Sequence, residues 1–168
     1  MPKLKPLLTA RRRRRSTAAL LLAIVLAAGA GALSWYQHDA ARSRETAARQ
    51  SLAAATPAAQ AIFSYDYRSF DASTANARTF ITGEFAEEYA KTTAALKANA
   101  VAEQAIVRAA VSSAGVITAT PSSVDLLLYV DQYRRNTNIT GEKVDQNRVV
   151  LTMIRTSGTW KVSHAVAL

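Results

Sequence analysis

Five consecutive arginines, Arg11, Arg12, Arg13, Arg14 and Arg15, run directly into a stretch from Ser16 to Tyr36 that carries no charged side chain. That junction constrains the chain more than any other feature. Thr17–Leu33 is almost wholly Ala, Leu, Ile, Val and Gly. At about 1.5 Å per residue, a helix from Thr17 to Tyr36 reaches about 30 Å, enough to cross a hydrocarbon core. Trp35 and Tyr36 fall where an interfacial aromatic belt would lie, and His38 and Asp39 restart the polar sequence. Lys3, Lys5 and the arginine run form a basic flank that predicts a cytoplasmic tail over 1–15. A single transmembrane helix over 16–36 follows, with the rest of the chain outside the cytoplasmic membrane. Two other readings compete. Ala28-Gly29-Ala30 and Ala30-Gly31-Ala32 resemble cleavage sites of a secretory signal peptide, and an arginine run can bind nucleic acid. The long apolar core and the helical sequence that continues from Asp39 favour an uncleaved anchor. The arginines abut an apolar run, which argues against nucleic acid.

Charge supports the same partition. The formal net charge is +9, and seven of those charges lie before Ser16, so the rest of the chain carries only +2. The exported part therefore has no strong field with which to gather phosphate. Cysteine is absent, which removes disulfides, thiolate nucleophiles and Cys-based metal sites.

The exported part divides into a helical half and a strand half. Asp39–Leu52 is rich in Ala, Arg, Glu and Gln and reads as a stalk helix, 37–56, without a large apolar face. Thr56-Pro57 reads as a helix start, cap and first position, opening a domain over 57–168. Phe63, Tyr67 and Phe70 are spaced to share one helical face, with Tyr65 and Asp66 off it. A short helix is expected from Asp71 or Ser73 to Ile81. Thr82-Gly83-Glu84-Phe85 marks a break and a new helix to about Ala98, with Phe85, Tyr89, Thr92 and Leu96 as its apolar stripe and Glu84, Glu87 and Glu88 mostly elsewhere.

After Asn99 the period changes. Ala105–Val111 and Gly115–Thr120 read as two strands or one bulged strand, and Val124–Tyr133 as a long one. Arg134–Asp145 forms a polar tip, and Arg148–Thr156 with Thr159–Ala167 forms a hairpin across Ser157-Gly158. In the last strand Trp160, Val162, His164 and Val166 alternate with Lys161, Ser163, Ala165 and Ala167. Helices followed by a meander of antiparallel strands predict an α+β domain with the helices packed on a curved sheet.

Ser64-Tyr65-Asp66-Tyr67, Thr82-Gly83-Glu84-Phe85, LLLYVDQ at 126–132, RVVLTMIR at 148–155 and Gly158-Thr159-Trp160 occur in an order that resembles the Mce-associated membrane proteins of actinobacteria. Tyr65, Asp66, Tyr67, Gly83, Phe85 and Trp160 carry that resemblance. It implies a cystatin-like cone, similar to ketosteroid isomerases, nuclear transport factor 2 and periplasmic type IV secretion components. It also implies a non-enzymatic accessory role in a Mce-type lipid or sterol import complex, with Mce proteins and the membrane as partners and a lipid or sterol as a possible ligand. No cofactor and no nucleic-acid partner are expected.

Catalytic signatures are few. Asp66 beside Tyr67 could pair a general base with an oxyanion donor in a cavity, but neighbouring residues on a helix diverge by about a hundred degrees. Asp66 as a cap and Tyr67 as core is the simpler reading. His164 reads as a core or rim histidine, and two histidines without cysteine leave no evident metal set. Glu87-Glu88 reads as a solvated helix side, and Asn138-Ile139-Thr140, a glycosylation tripeptide, as an exposed loop tip. The candidate cavity or core is lined by Phe63, Tyr67, Phe70, Phe85, Tyr89, Leu128, Met153, Trp160, Val162 and His164, and is expected to be mostly filled. Four functions remain open: an assembly subunit, a lipid-binding module, a membrane-tethered isomerase or hydrolase, and a type IV secretion scaffold.

Overall fold

The computed structural model describes residues 7–168, with the side chains of 7–27, 30, 32–34 and 36 outside that description. The apolar run and Arg11–Arg15 therefore lie mostly outside the described residues, and so does the topology read from them. Among the described residues no helix is long and apolar enough to cross a membrane. The chain divides into two units between Arg42 and Ser43. The first is helical from Leu7 onward, and the second is the α+β domain.

Helix α1 spans Leu7–Ile62 and carries Pro57 inside it. The helix start expected at Thr56-Pro57 is therefore not there, and the domain begins earlier than residue 57. The reason is the face of the helix. Ala47, Ser51, Ala55, Ala58 and Ala59 are buried at 0–3% exposure. The alanines of that face belong to the same buried cluster as the sheet core, and Leu52 and Ile62 join it. An alanine stripe is a weak hydrophobic signal, so Asp39–Leu52 looked faceless. The exposed Pro57 costs about 3 kcal/mol in a helix interior, and packing on both sides of it outweighs that cost. Buried Ser51 satisfies its hydroxyl locally by donating to the Ala48 carbonyl at 3.1 Å.

Past Ile62 the chain leaves the helix at once. Tyr65–Asp66 forms a two-residue strand, β1, followed by a 3₁₀ turn over Tyr67–Ser69 and helix α2, Phe70–Arg78. Phe63, Tyr67 and Phe70 consequently share no helical face. Asp66 is the cap of the turn, accepting from the Arg68 backbone N–H at 2.9 Å. Helix α3 runs Glu84–Ala102 behind Gly83, whose φ of 66° favours glycine.

Strands β2 (Ile106–Ala119), β3 (Ser123–Arg135), β4 (Lys143–Thr156) and β5 (Thr159–Ala167) complete an antiparallel sheet in the order β1-β2-β3-β4-β5. The open question about β2 resolves as one strand with bulges between Val111 and Ser113 and between Val116 and Thr118. Such extra residues bend a strand and curve its sheet. One face of the sheet carries the core. Val124, Leu126, Leu128 and Val130 on β3 lie beside Leu151 and Met153 on β4 and Val162 on β5, each at most 1% exposed. Burying one such side chain is worth about 1.5–3 kcal/mol. The β4–β5 hairpin turns through Ser157 (φ 50°) and Gly158 (φ 84°), the left-handed pair that a tight two-residue turn requires.

A third bulge has the largest consequence. Thr152 faces His164 but Met153 faces Val162, so Ser163 is one residue too many. Side chains alternate strictly along a strand, and an inserted residue inverts everything beyond it. Trp160 and Val162 face the helices as expected, whereas His164 is exposed and Val166 is 42% exposed. Ala165 and Ala167 take the inward positions instead.

Candidate functional site

Between α2, α3 and the concave face of the sheet lies a cleft of about 370 Å³. Phe85, Glu88, Tyr89, Thr92, Thr93 and Leu96 form its α3 wall. Phe70 and Thr74 contribute from α2, while Ile62, Phe63 and Tyr65 close the end where α1 meets β1. Its floor is Gln132, Val149, Ala165 and Ala167.

Each element supplies its wall for a local reason. The stripe spacing on α3 holds, with Phe85 and Tyr89 one turn apart and ring centroids 6.4 Å apart. Glu88 is three residues after Phe85 and four before Thr92, which puts it on the same side despite its charge. Tyr65 replaces Tyr67 as the aromatic partner of Phe70, at 5.4 Å between ring centroids. Pairing of β1 with β2 through Tyr65 and Val107 orients it there. Tyr67 is only partly buried, packs in neither core cluster and stacks under the Arg68 guanidinium, 5.8 Å from its ring centre.

The ten residues expected to line one cavity therefore separate. Phe63, Phe70, Phe85 and Tyr89 line the cleft. Leu128, Met153 and Val162 are solid core at 0% exposure. Trp160 packs against that core and sets its indole N–H 3.4 Å from the Gln50 side chain of α1. Tyr67 and His164 belong to neither. The cavity is also not mostly filled: Ala165 and Ala167 leave it open.

Its polar groups are mostly committed. Gln132 donates to the Phe63 carbonyl at 3.2 Å and accepts from Asn147 at 2.9 Å. Thr93 donates to the Tyr89 carbonyl at 2.7 Å, and the Tyr89 hydroxyl approaches the Ile62 carbonyl at 3.4 Å. Burial pushes the Tyr89 phenol above its ordinary range. Burial does the same to Tyr65, opposed by the Arg134 guanidinium and helped by Glu103. Both phenols are thus protonated at neutral pH. Arg134 pairs with Asp145 at 2.7 Å, and Glu103 accepts from Asn136 at 2.9 Å, which ties the tip between β3 and β4 back to the end of α3. Asn138 and Thr140 remain exposed there.

Among the described residues that line the cleft, the ionisable ones are Tyr65, Tyr89 and the exposed Glu88. Asp66 lies outside it, and its hydrogen bonds from Arg68 hold the carboxyl below the usual carboxylate range. Among the described residues no three His, Asp or Glu side chains gather as a metal set.

No family model matches the chain. Two uncharacterized proteins of Mycobacterium tuberculosis, one from strain CDC 1551 and one, Rv1362c, from strain H37Rv, are each 28% identical over 118 residues. That stretch is 70% of this chain and 54% of theirs, so the chain spans about half the length of the curated relatives it matches. An IcmL-like type IV secretion system protein from Legionella pneumophila superposes with a TM-score of 0.59 at 16% identity, over 69% of this chain and 88% of its own. CagV, a VirB8 homolog of the type IV secretion system of Helicobacter pylori, gives 0.56 at 12%, over 68% and 93%. The periplasmic domain of DotI gives 0.54 at 18%, over 70% and 91%. At these identities the likeness establishes the fold, a cone of helices on a curved antiparallel sheet. The resemblance to Mce-associated proteins is not carried by these matches.

Proposed function

We propose that this chain is a non-enzymatic assembly subunit of a bacterial envelope complex. Its N-terminal segment tethers it to the cytoplasmic membrane, and its cone docks protein partners on the outer side. The observation that carries this reading is the cone itself. It matches 88–93% of the length of three solved chains, two of them named as type IV secretion system proteins, an IcmL-like protein and a VirB8 homolog. The chemistry of the cleft agrees. Its lining holds two protonated phenols, one exposed carboxylate and one amide already hydrogen-bonded on both sides.

The partner set follows from the resemblance read in the sequence, a Mce-type lipid importer, with a secretion-like scaffold as the second reading favoured by the fold. Photo-crosslinking distinguishes them. A benzoyl-phenylalanine placed at Asn138 on the tip, and another at Arg49 on α1, should each yield adducts in intact cells. Mce or permease subunits in those adducts support the importer, and secretion ATPase or channel subunits support the scaffold. Adducts with neither, while such proteins are abundant in the cell, count against an assembly role. Protease digestion of spheroplasts checks the topology, since a cone protected from external protease would place it in the cytosol.

A further inference from the structure

The outer edge of β2 runs without a neighbouring strand for most of its length. Strand β1 covers only Ile106 and Val107, and the Ser64 hydroxyl then accepts from the Ala109 N–H at 2.8 Å. Among the described residues no strand lies beside that edge over Val111–Ala119. The opposite edge of the sheet is guarded near its middle. Ile81 bridges to Val162 on β5, with Thr82 donating to the Val162 carbonyl at 2.9 Å and Val162 donating to the Phe80 carbonyl at 2.8 Å. A bare edge offers backbone donors and acceptors to another strand, and proteins commonly blunt one with charge or proline. Between Arg108 and Thr120 this chain has neither. Val116 and Ile117 instead stand 44% and 54% exposed there.

We propose that this edge pairs with the same edge of a second copy of the chain, antiparallel about a two-fold axis at Gly115. Charge selects that occupant. A two-fold contact sets each residue near the axis beside its own counterpart, so a charge there would repel itself, and this stretch has none. At the ends the signs are opposite. Antiparallel pairing carries the Arg108 end of one strand towards the end of the other that adjoins Asp125, the β3 partner of Thr118. Among the described residues neither Arg108 nor Asp125 has an ion-pair partner. Arg108 rests over Tyr133, 4.8 Å from its ring centre, and Asp125 accepts from the Thr118 and Thr152 hydroxyls. The two bulges of β2 flank the axis and leave Ser113–Val116 regular between them. A Cβ built at Gly115 meets no atom within 4 Å, so the backbone there is open to close approach. Pairing continues the sheet across both copies and covers Val116 and Ile117. The inference concerns two copies of this chain and stands whichever complex the chain joins.

Because the chain has no cysteine, single cysteines report the contact without background. In cells expressing the full chain, Gly115→Cys should give a disulfide-linked dimer on mild oxidation, about five-fold above Asn138→Cys on the tip. At about 3.3 Å per residue, positions two residues off the axis stand about 13 Å from their own counterparts, beyond the reach of a disulfide. Ser113→Cys or Ile117→Cys alone should therefore stay at the Asn138→Cys level, while the two co-expressed should cross-link to each other. Gly115→Lys in both copies should cut that mixed cross-link about five-fold. Pairing a Gly115→Lys copy with a Gly115→Asp copy should restore it, which a folding defect would not allow. Absence of the Gly115→Cys dimer, equal self-cross-linking at every position over 111–119, or indifference to charge at 115 would overturn the proposal. So would a benzoyl-phenylalanine at Val116 that captures a different protein in place of a second copy.

Discussion

Asp66 shows how one side chain decides the use of its neighbours. As a cap it accepts from the Arg68 backbone and also from the Arg68 guanidinium, which opens the 3₁₀ turn at Tyr67, with Tyr65 left at the cleft and Tyr67 under that guanidinium. Because that carboxyl is held below its ordinary value of 3.8, its contribution to stability is complete above that pH. It is lost as the pH falls through the lowered folded-state value. Asp66→Asn keeps a cap but removes the titration, so acid unfolding followed by circular dichroism should be flatter below pH 3.8 in the variant. Tyr89 works in the opposite direction. Its raised value means that the unfolded chain loses the phenolic proton first as the pH climbs past 10.0, and stability declines from there through the folded-state value. Tyr89→Phe should lessen that alkaline decline at a neutral-pH cost of about 0.5–1.5 kcal/mol or less, since its hydrogen bond is long. Tyr65, raised in the same sense, retains its own share of the decline. Of these three residues, sequence suggested Asp66 as a cap and Tyr89 as core. It misassigned Tyr65, because a two-residue strand leaves no periodic trace.

At the scale of elements, α3 and the β4–β5 hairpin were legible and α1 was not. The stripe of Phe85, Tyr89 and Leu96 and the Ser157-Gly158 turn are strong signals, since large apolar residues and a left-handed turn pair admit few alternatives. Helix α1 misleads in two ways: its buried face is alanine, and its proline mimics a first-turn position. Pro57→Ala restores a backbone donor on an exposed helix position. It should raise the melting temperature by an amount corresponding to about 1–3 kcal/mol, measured by thermal denaturation. An unchanged or lowered midpoint would mean that the helix uses the proline to fit the sheet. The bulge at Ser163 was equally hidden. A bulge is set by how a strand registers against its neighbour, and TWKVSHAVA alternates too cleanly to betray it.

For the whole molecule, the sheet and α1 form one core, so the boundary of the folding unit matters. A fragment covering 43–168 keeps the helix face from Ala47 to Ile62 and should unfold cooperatively in urea. A fragment covering 57–168 loses Ala47, Ser51 and Ala55 from that face and should expose apolar surface, seen as strong dye binding and a broad transition. Leu151→Ala, in the middle of the sheet opposite Leu126 and at 0% exposure, should cost about 2–5 kcal/mol by urea titration of the full chain. A loss below about 1 kcal/mol would mean that the core relaxes around it.

The amino-acid sequence by itself determined the order of helices and strands, the hairpin turn and the apolar stripe of α3. Those follow from local backbone preference and from periodic contrast between apolar and polar side chains. Only the tertiary structure decided where α1 enters the core, which tyrosine faces the cleft, and that alanines rather than His164 and Val166 form its floor. Each of those outcomes depends on register between segments far apart in the chain. A shift of one residue across a ladder costs little locally, yet it reverses every side chain beyond it.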